Sequence, residues 1–140
     1  MPLDIESQNR RRATISVIEN PQPLLDYVAT LSENLRNIGG PGAISQAHAG
    51  LLIRYVPDGV VLEKASLGAY LEIIANTEWA SLEEIATTIL DDLNNEVVPR
   101  WVHVGLSGPE DENGARHSVI MEDRQPDWEN PDLLARLSLT

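Results

Sequence analysis

The side chains in this sequence best suited to chemistry are few, and their spacing limits what they can do. Ser45 and His48 could form a hydroxyl nucleophile and its base. Three positions apart on a strand they would point to opposite faces, and no nearby acid would orient the imidazole, so a polar loop running into a strand is the simpler reading. His48, His103 and His117 are the only histidines, and no short-spaced motif joins them to further ligands, so no metal site is expected. There is no cysteine, which removes disulfides, thiolate nucleophiles and cysteine metal ligands together. Glu83 follows Ser81-Leu82, and a glutamate in the first turn of a helix is already favoured by the helix dipole. Trp79, between two helical patterns, reads as a packing piece that could also stack on a planar ligand. Arg10-Arg11-Arg12 ends a polar stretch, and residues 1–12 read as a flexible, solvated arm.

The elements that would position these groups follow from periodicity. Residues 13–19 alternate and stop at Asn20-Pro21-Gln22-Pro23, giving a first strand. Tyr27, Ala29 and Leu31 alternate with Val28, Thr30 and Ser32 before a Gly39-Gly40-Pro41-Gly42 loop. Residues 49–56 alternate again, and Pro57-Asp58-Gly59 predicts a tight hairpin turn into residues 60–63. The period then changes to helical, with Leu67, Tyr70, Leu71 and Ile74 on one face and Ser66 as the expected cap. Ser81 and Glu84 form a capping box for a second helix with Leu82, Ile85, Ala86, Ile89, Leu90 and Leu93 as its buried stripe. Residues 101–107 and 115–121 form a second hairpin around an acidic turn, and Leu133, Leu134 and Leu137 suit a short docking helix in an acidic tail from 123 to 140. The fold class is therefore α+β: a four-stranded antiparallel sheet with two helices packed on one face. Its two edge strands make a homo-oligomer the expected state.

At 140 residues and 42% hydrophobic composition, the chain can build one core, in a domain expected to span 13–122. A net charge of −12 repels a phosphate backbone, so no nucleic acid is expected as partner. No apolar run reaches signal or membrane-spanning length, so no membrane association and a cytoplasmic location are expected.

Several segments occur in a telling order: Glu19-Asn20-Pro21-Gln22-Pro23 with Asp26-Tyr27, Tyr55-Val56-Pro57-Asp58, Glu63 through Ser66-Leu67 to Tyr70-Leu71, Asn76, Glu83, residues 89–93, and Pro99-Arg100-Trp101. Together, over about residues 14–122, they resemble the QueF family of queuosine biosynthesis. The resemblance implies the tunnelling fold (T-fold), in which subunits join their sheets into a barrel-like oligomer and planar purine- or pterin-like heterocycles bind between subunits. It implies that Glu83 anchors the amino-pyrimidinone edge of a ligand, with backbone groups around Ser66 and Leu67 holding the ring. A carboxylate accepting two parallel N–H bonds is a strong planar recognition device.

The chain also departs from that family. Nitrile reduction there runs through a thioimide and requires a cysteine, an aspartate proton donor and NADPH. Ungapped alignment from Tyr55 backwards places Gly40 at the cysteine, Pro41 at its proline and Ala47 at the aspartate. The family's histidine before the anchor glutamate is Leu82, the arginine before Asn76 is Ala75, and its Arg-Gly-Gly turn reads Glu112-Asn113-Gly114-Ala115-Arg116. The expectation is a heterocycle-binding T-fold protein without thioimide chemistry, with no cofactor and no assigned catalytic residue. Its rivals are a structural or partner subunit of a T-fold assembly, and a T-fold hydrolase or synthase using polar residues and water.

Overall fold

Alternation of apolar and polar residues builds the sheet, and helical periodicity covers one side of it. The computed structural model describes residues 4–35 and 49–137. Its elements run α1 (Ile5–Arg12), β1 (Val17–Glu19), β2 (Ala29–Leu35), β3 (Ala49–Val56), β4 (Val60–Leu62), α2 (Lys64–Ala75), α3 (Leu82–Glu96), β5 (Trp101–Ser107), β6 (Ser118–Arg124) and α4 (Pro131–Ala135). The main sheet has the order β2-β3-β5-β6, antiparallel throughout. The chain is thus α+β, as its periodicity predicts.

Register decides which residues reach the core. Ala49, Leu51, Ile53 and Tyr55 of β3 align with Leu35 and Leu31 of β2 and with Val102, Val104 and Leu106 of β5 on one face. Against that face pack Leu67, Tyr70, Leu71 and Ile74 of α2 and Ile85, Ala86, Ile89 and Leu93 of α3. Fully burying one such Leu or Ile contributes about 1.5–3 kcal/mol, so this two-layer core supplies most of the driving force. The opposite face carries Leu52 and Arg54 of β3, His103 and Gly105 of β5, and Ile120 and Glu122 of β6, and neither α2 nor α3 covers it.

Several local expectations are corrected. Residues 5–12 are not a solvated arm: they form α1, capped by Asp4, whose carboxylate accepts the Ser7 N–H at 2.8 Å. Arg11 is only 3% exposed, because its guanidinium and that of Arg12 dock on Asp92. The segment after Pro57-Asp58-Gly59 does not fold back on β3. β4 pairs instead with β1, in a separate two-stranded sheet, and the Leu62 N–H donates to the Tyr55 hydroxyl at 2.9 Å where a hairpin would form a ladder bond. Ser66 does not cap α2, which starts two residues earlier. Its Oγ accepts the Ser16 N–H at 3.0 Å and donates to the Glu63 carbonyl at 2.8 Å, tying the helix to the chain entering β1. Ser81 caps α3 as expected, accepting the Glu84 N–H at 3.1 Å. The C-terminal leucine pattern forms the short helix α4.

Candidate functional site

Glu83 stands in the first turn of α3, and the base of the β5–β6 hairpin supplies its neighbour. Its Oε1 lies 3.3 Å from His117 Nε2, with both side chains more than half exposed. Gly108 permits this approach. Its N–H donates to the His117 carbonyl at 2.9 Å, and an added Cβ would lie 3.3 Å from both that carbonyl oxygen and Leu82 Cδ1. Leu82 therefore turns towards the hairpin while Glu83 turns to solvent. An exposed carboxylate at a helix N-terminus beside an imidazole can accept paired N–H groups from the edge of a planar ring.

The other expected ligand residues lie apart from Glu83. Ser66 spends its hydroxyl on Ser16 and Glu63 and its N–H on the Glu63 carbonyl, at 3.0 Å. The Leu67 side chain is 1% exposed and belongs to the core. Both lie in the first turns of α2, whereas Glu83 follows its far end, and a 12-residue helix is roughly 18 Å long. Trp79 is a packing piece: it lies partly buried against the core and donates Nε1–H to the Ile74 carbonyl at 2.8 Å. Gly40, Pro41, Ser45, Ala47 and His48 lie outside the described residues. Among the described residues, no group of three or more His, Asp or Glu side chains could hold a metal.

Several of the motif residues that carry the family resemblance, Asn20, Pro23, Asp26, Tyr27, Asp58 and Arg100, meet in one hydrogen-bonded knot. Arg100 donates to Asp26 at 3.0 Å, to Asp58 at 3.3 Å and to the Pro23 and Leu25 carbonyls. Asn20 donates to the Asp58 carbonyl at 2.7 Å and accepts the Tyr27 hydroxyl at 2.7 Å. Asp26 also accepts Trp128 Nε1–H at 3.1 Å and Asn130 Nδ2–H at 3.0 Å, which pins the segment leading into α4. Burial alone would raise the Asp26 pKa, but hydrogen bonds from Asn130, Trp128 and Arg100, with the Arg100 charge, hold it below the ordinary carboxylate value.

Sequence reasoning missed a second cluster. Asp92, 0% exposed, accepts Arg11 Nε–H at 3.0 Å, Arg12 Nε–H at 2.8 Å and the Tyr70 hydroxyl at 2.6 Å. The signal was present: Asp92 falls on the same buried helical stripe as Ile85 and Ile89, and a carboxylate there requires cationic or hydrogen-bonding partners.

A family model described as "QueF-like protein" matches residues 47–121. A protein of Thermomicrobium roseum named NADPH-dependent 7-cyano-7-deazaguanine reductase is 34% identical over 118 residues, covering 84% of this chain and 90% of its own length. The chain belongs to the QueF-like family. Similar proteins with the same name occur in Acidithiobacillus ferrooxidans, at 31% identity over 118 residues, and in Syntrophus aciditrophicus, at 30% over 121, each covering 84% of this chain and 82% of the relative. Within the QueF-like family this is a divergent sequence, because none of its 140 residues is cysteine. Its β5–β6 loop is also acidic. Glu110, Asp111 and Glu112 concentrate negative charge there, Arg116 is tied to Glu110 at 3.4 Å, and Asp111 accepts the Asn113 and Ala115 N–H groups.

Proposed function

We propose that this protein is a T-fold subunit that binds a purine-, deazapurine- or pterin-like heterocycle between subunits, without nitrile reduction through a thioimide. The observation that carries this reading is the Glu83 carboxylate: it is exposed in the first turn of α3 and has an imidazole at 3.3 Å. A planar amino-pyrimidinone edge offers two parallel N–H donors, and Glu83 would accept both. Ser66 and Leu67 lie near the opposite end of α2 from Glu83, so one ligand would meet both groups only where two copies of the chain adjoin. The edge strands β2 and β6 are where copies would join into a barrel. A thiolate adduct has no nucleophile in this sequence, so any turnover would use a different chemistry. The partner is read as a small molecule, not a nucleic acid or a membrane, and the setting as cytoplasmic. Among the described residues, no helix is long and apolar enough to cross a membrane.

Isothermal calorimetry with 7-cyano-7-deazaguanine, guanine and pterin tests this reading. At least one is expected to bind, and Glu83→Ala is expected to weaken that ligand tenfold or more, since a charge-assisted hydrogen bond contributes about 1.5–3 kcal/mol. Absence of binding by all three would instead favour a structural or partner subunit in which Glu83 serves only the α3 terminus.

A further inference from the structure

Glu83 and His117 meet from two regular elements that fix where each can stand. Glu83 is the second residue of α3, whose N-terminus is held by the Ser81 cap. His117 directly precedes β6, and its carbonyl accepts the Gly108 N–H one step beyond the Ser107–Ser118 pair that ends the ladder. The backbone under the imidazole is therefore set by the sheet and not by the loop of residues 109–116. Groups held on regular elements keep their mutual geometry better than groups on loops.

Both side chains retain hydrogen-bonding capacity. Glu83 Oε1 and His117 Nε2 stand 3.3 Å apart as an ion pair, and among the described residues neither side chain makes a hydrogen bond. The carboxylate charge favours the ring proton on the nitrogen beside it, so a neutral His117 presents an N–H at Nε2. The pair thus offers two acceptor oxygens flanked by one donor. A ring edge that matches carries two donors and then an acceptor: an exocyclic amine, a ring N–H and, on the next ring atom, a carbonyl oxygen. A ring with the two donors alone would satisfy Glu83 but leave Nε2–H facing carbon in a contact that excludes water, and a polar group left unpaired in that way discriminates strongly.

We propose that His117 is a specificity-determining residue of the Glu83 site, donating Nε2–H to the carbonyl oxygen of a 2-amino-lactam ring whose amine and ring N–H pair with the Glu83 carboxylate. This rests on the reading of Glu83 given above and narrows it: the ligand is a lactam, and rings with the paired donors but no carbonyl are rejected. Gly108 serves the same end, since a Cβ there would lie 3.3 Å from both the His117 carbonyl oxygen and Leu82 Cδ1 and would press the hairpin away from the helix.

Calorimetry on the full chain tests the proposal with two fused-ring probes at alkaline pH, where both are uncharged. 2-Aminoquinazolin-4-one has the amine, the ring N–H and the carbonyl, whereas 2-aminobenzimidazole has the amine and ring N–H but carbon in place of the carbonyl. The parent is expected to bind the quinazolinone several-fold more tightly. His117→Leu is expected to weaken the quinazolinone roughly fivefold and the benzimidazole less than about twofold. Its melting temperature should not change, because the side chain is more than half exposed. His117→Gln, which keeps an N–H donor, is expected to recover part of the loss, and Glu83→Ala to weaken both probes. Weakening of both probes by Glu83→Ala with no change in the quinazolinone for His117→Leu would overturn the role of His117 and leave the reading of Glu83 standing. An equal fall of the two probes in His117→Leu, or an equal loss in His117→Gln and His117→Leu, would also overturn that role. Binding of neither probe by the parent, or binding unaffected by Glu83→Ala, would overturn the reading of Glu83 and this inference with it.

Discussion

Asp92 holds the α1 end of the molecule to α3. Its carboxylate takes two guanidinium groups and a phenol at full burial, so the balance depends on all partners being present. Asp92→Ala would leave the Arg11 charge buried and is expected to destabilise by about 3–5 kcal/mol in urea unfolding. Tyr70→Phe removes one hydrogen bond to a charged acceptor and is expected to cost about 2 kcal/mol. Asp92 also raises the Tyr70 pKa, adding to the effect of burial, so that hydroxyl stays protonated and donating across the range where the fold is stable. Asp26 supplies a pH dependence of the opposite origin. Its pKa is lower in the folded chain than the ordinary 3.8, so its contribution is fully present above 3.8 and is lost as pH falls through the depressed folded value. The stability gap between the parent and Asp26→Asn is therefore expected to be largest near neutral pH and to close below pH 3.8, as read from denaturation midpoints across an acid series.

At the scale of elements, the stop of α3 carries strain. Val98 has φ of 48° immediately before Pro99, a left-handed conformation that suits glycine or asparagine and burdens a β-branched side chain. Val98 is 57% exposed, so little packing would be lost on truncation. Val98→Gly is expected to raise stability by roughly 0.5–1 kcal/mol, measurable as a higher denaturant midpoint with unchanged slope. The chain keeps this turn because Arg100 must follow directly to reach Asp26 and Asp58, and Trp101 must enter β5 in register with Val56. The segment after β6 is held by the same knot, through Gln125 to Asp58 and through Trp128 and Asn130 to Asp26. These bonds hold the N-cap residue Asn130 of the five-residue helix α4, none of whose own residues is buried.

For the whole molecule, the proposal of an interfacial ligand needs assembly through the edge strands β2 and β6. Sedimentation equilibrium is expected to give a mass several times 15.4 kDa, with association strengthened by added salt because a net charge of −12 per chain opposes it. A monomer at all concentrations would sink the interfacial-ligand reading.

The sequence by itself determined the α+β class, the limits of β3 and β5, the Ser81 cap and the absence of thiol chemistry. Each of these depends on spacing within a few residues or on composition alone. The ordered motifs also pointed to the QueF-like family, although not to the knot that Asn20, Asp26, Tyr27 and Asp58 build around Arg100. Tertiary structure alone decided that α1 is helical and docked, that β4 pairs with β1, and that His117 is the histidine beside Glu83. In each case the deciding contact joins residues far apart in the chain: Arg11 and Asp92 are separated by 81 positions, and no local periodicity records which distant partner a buried charge will find.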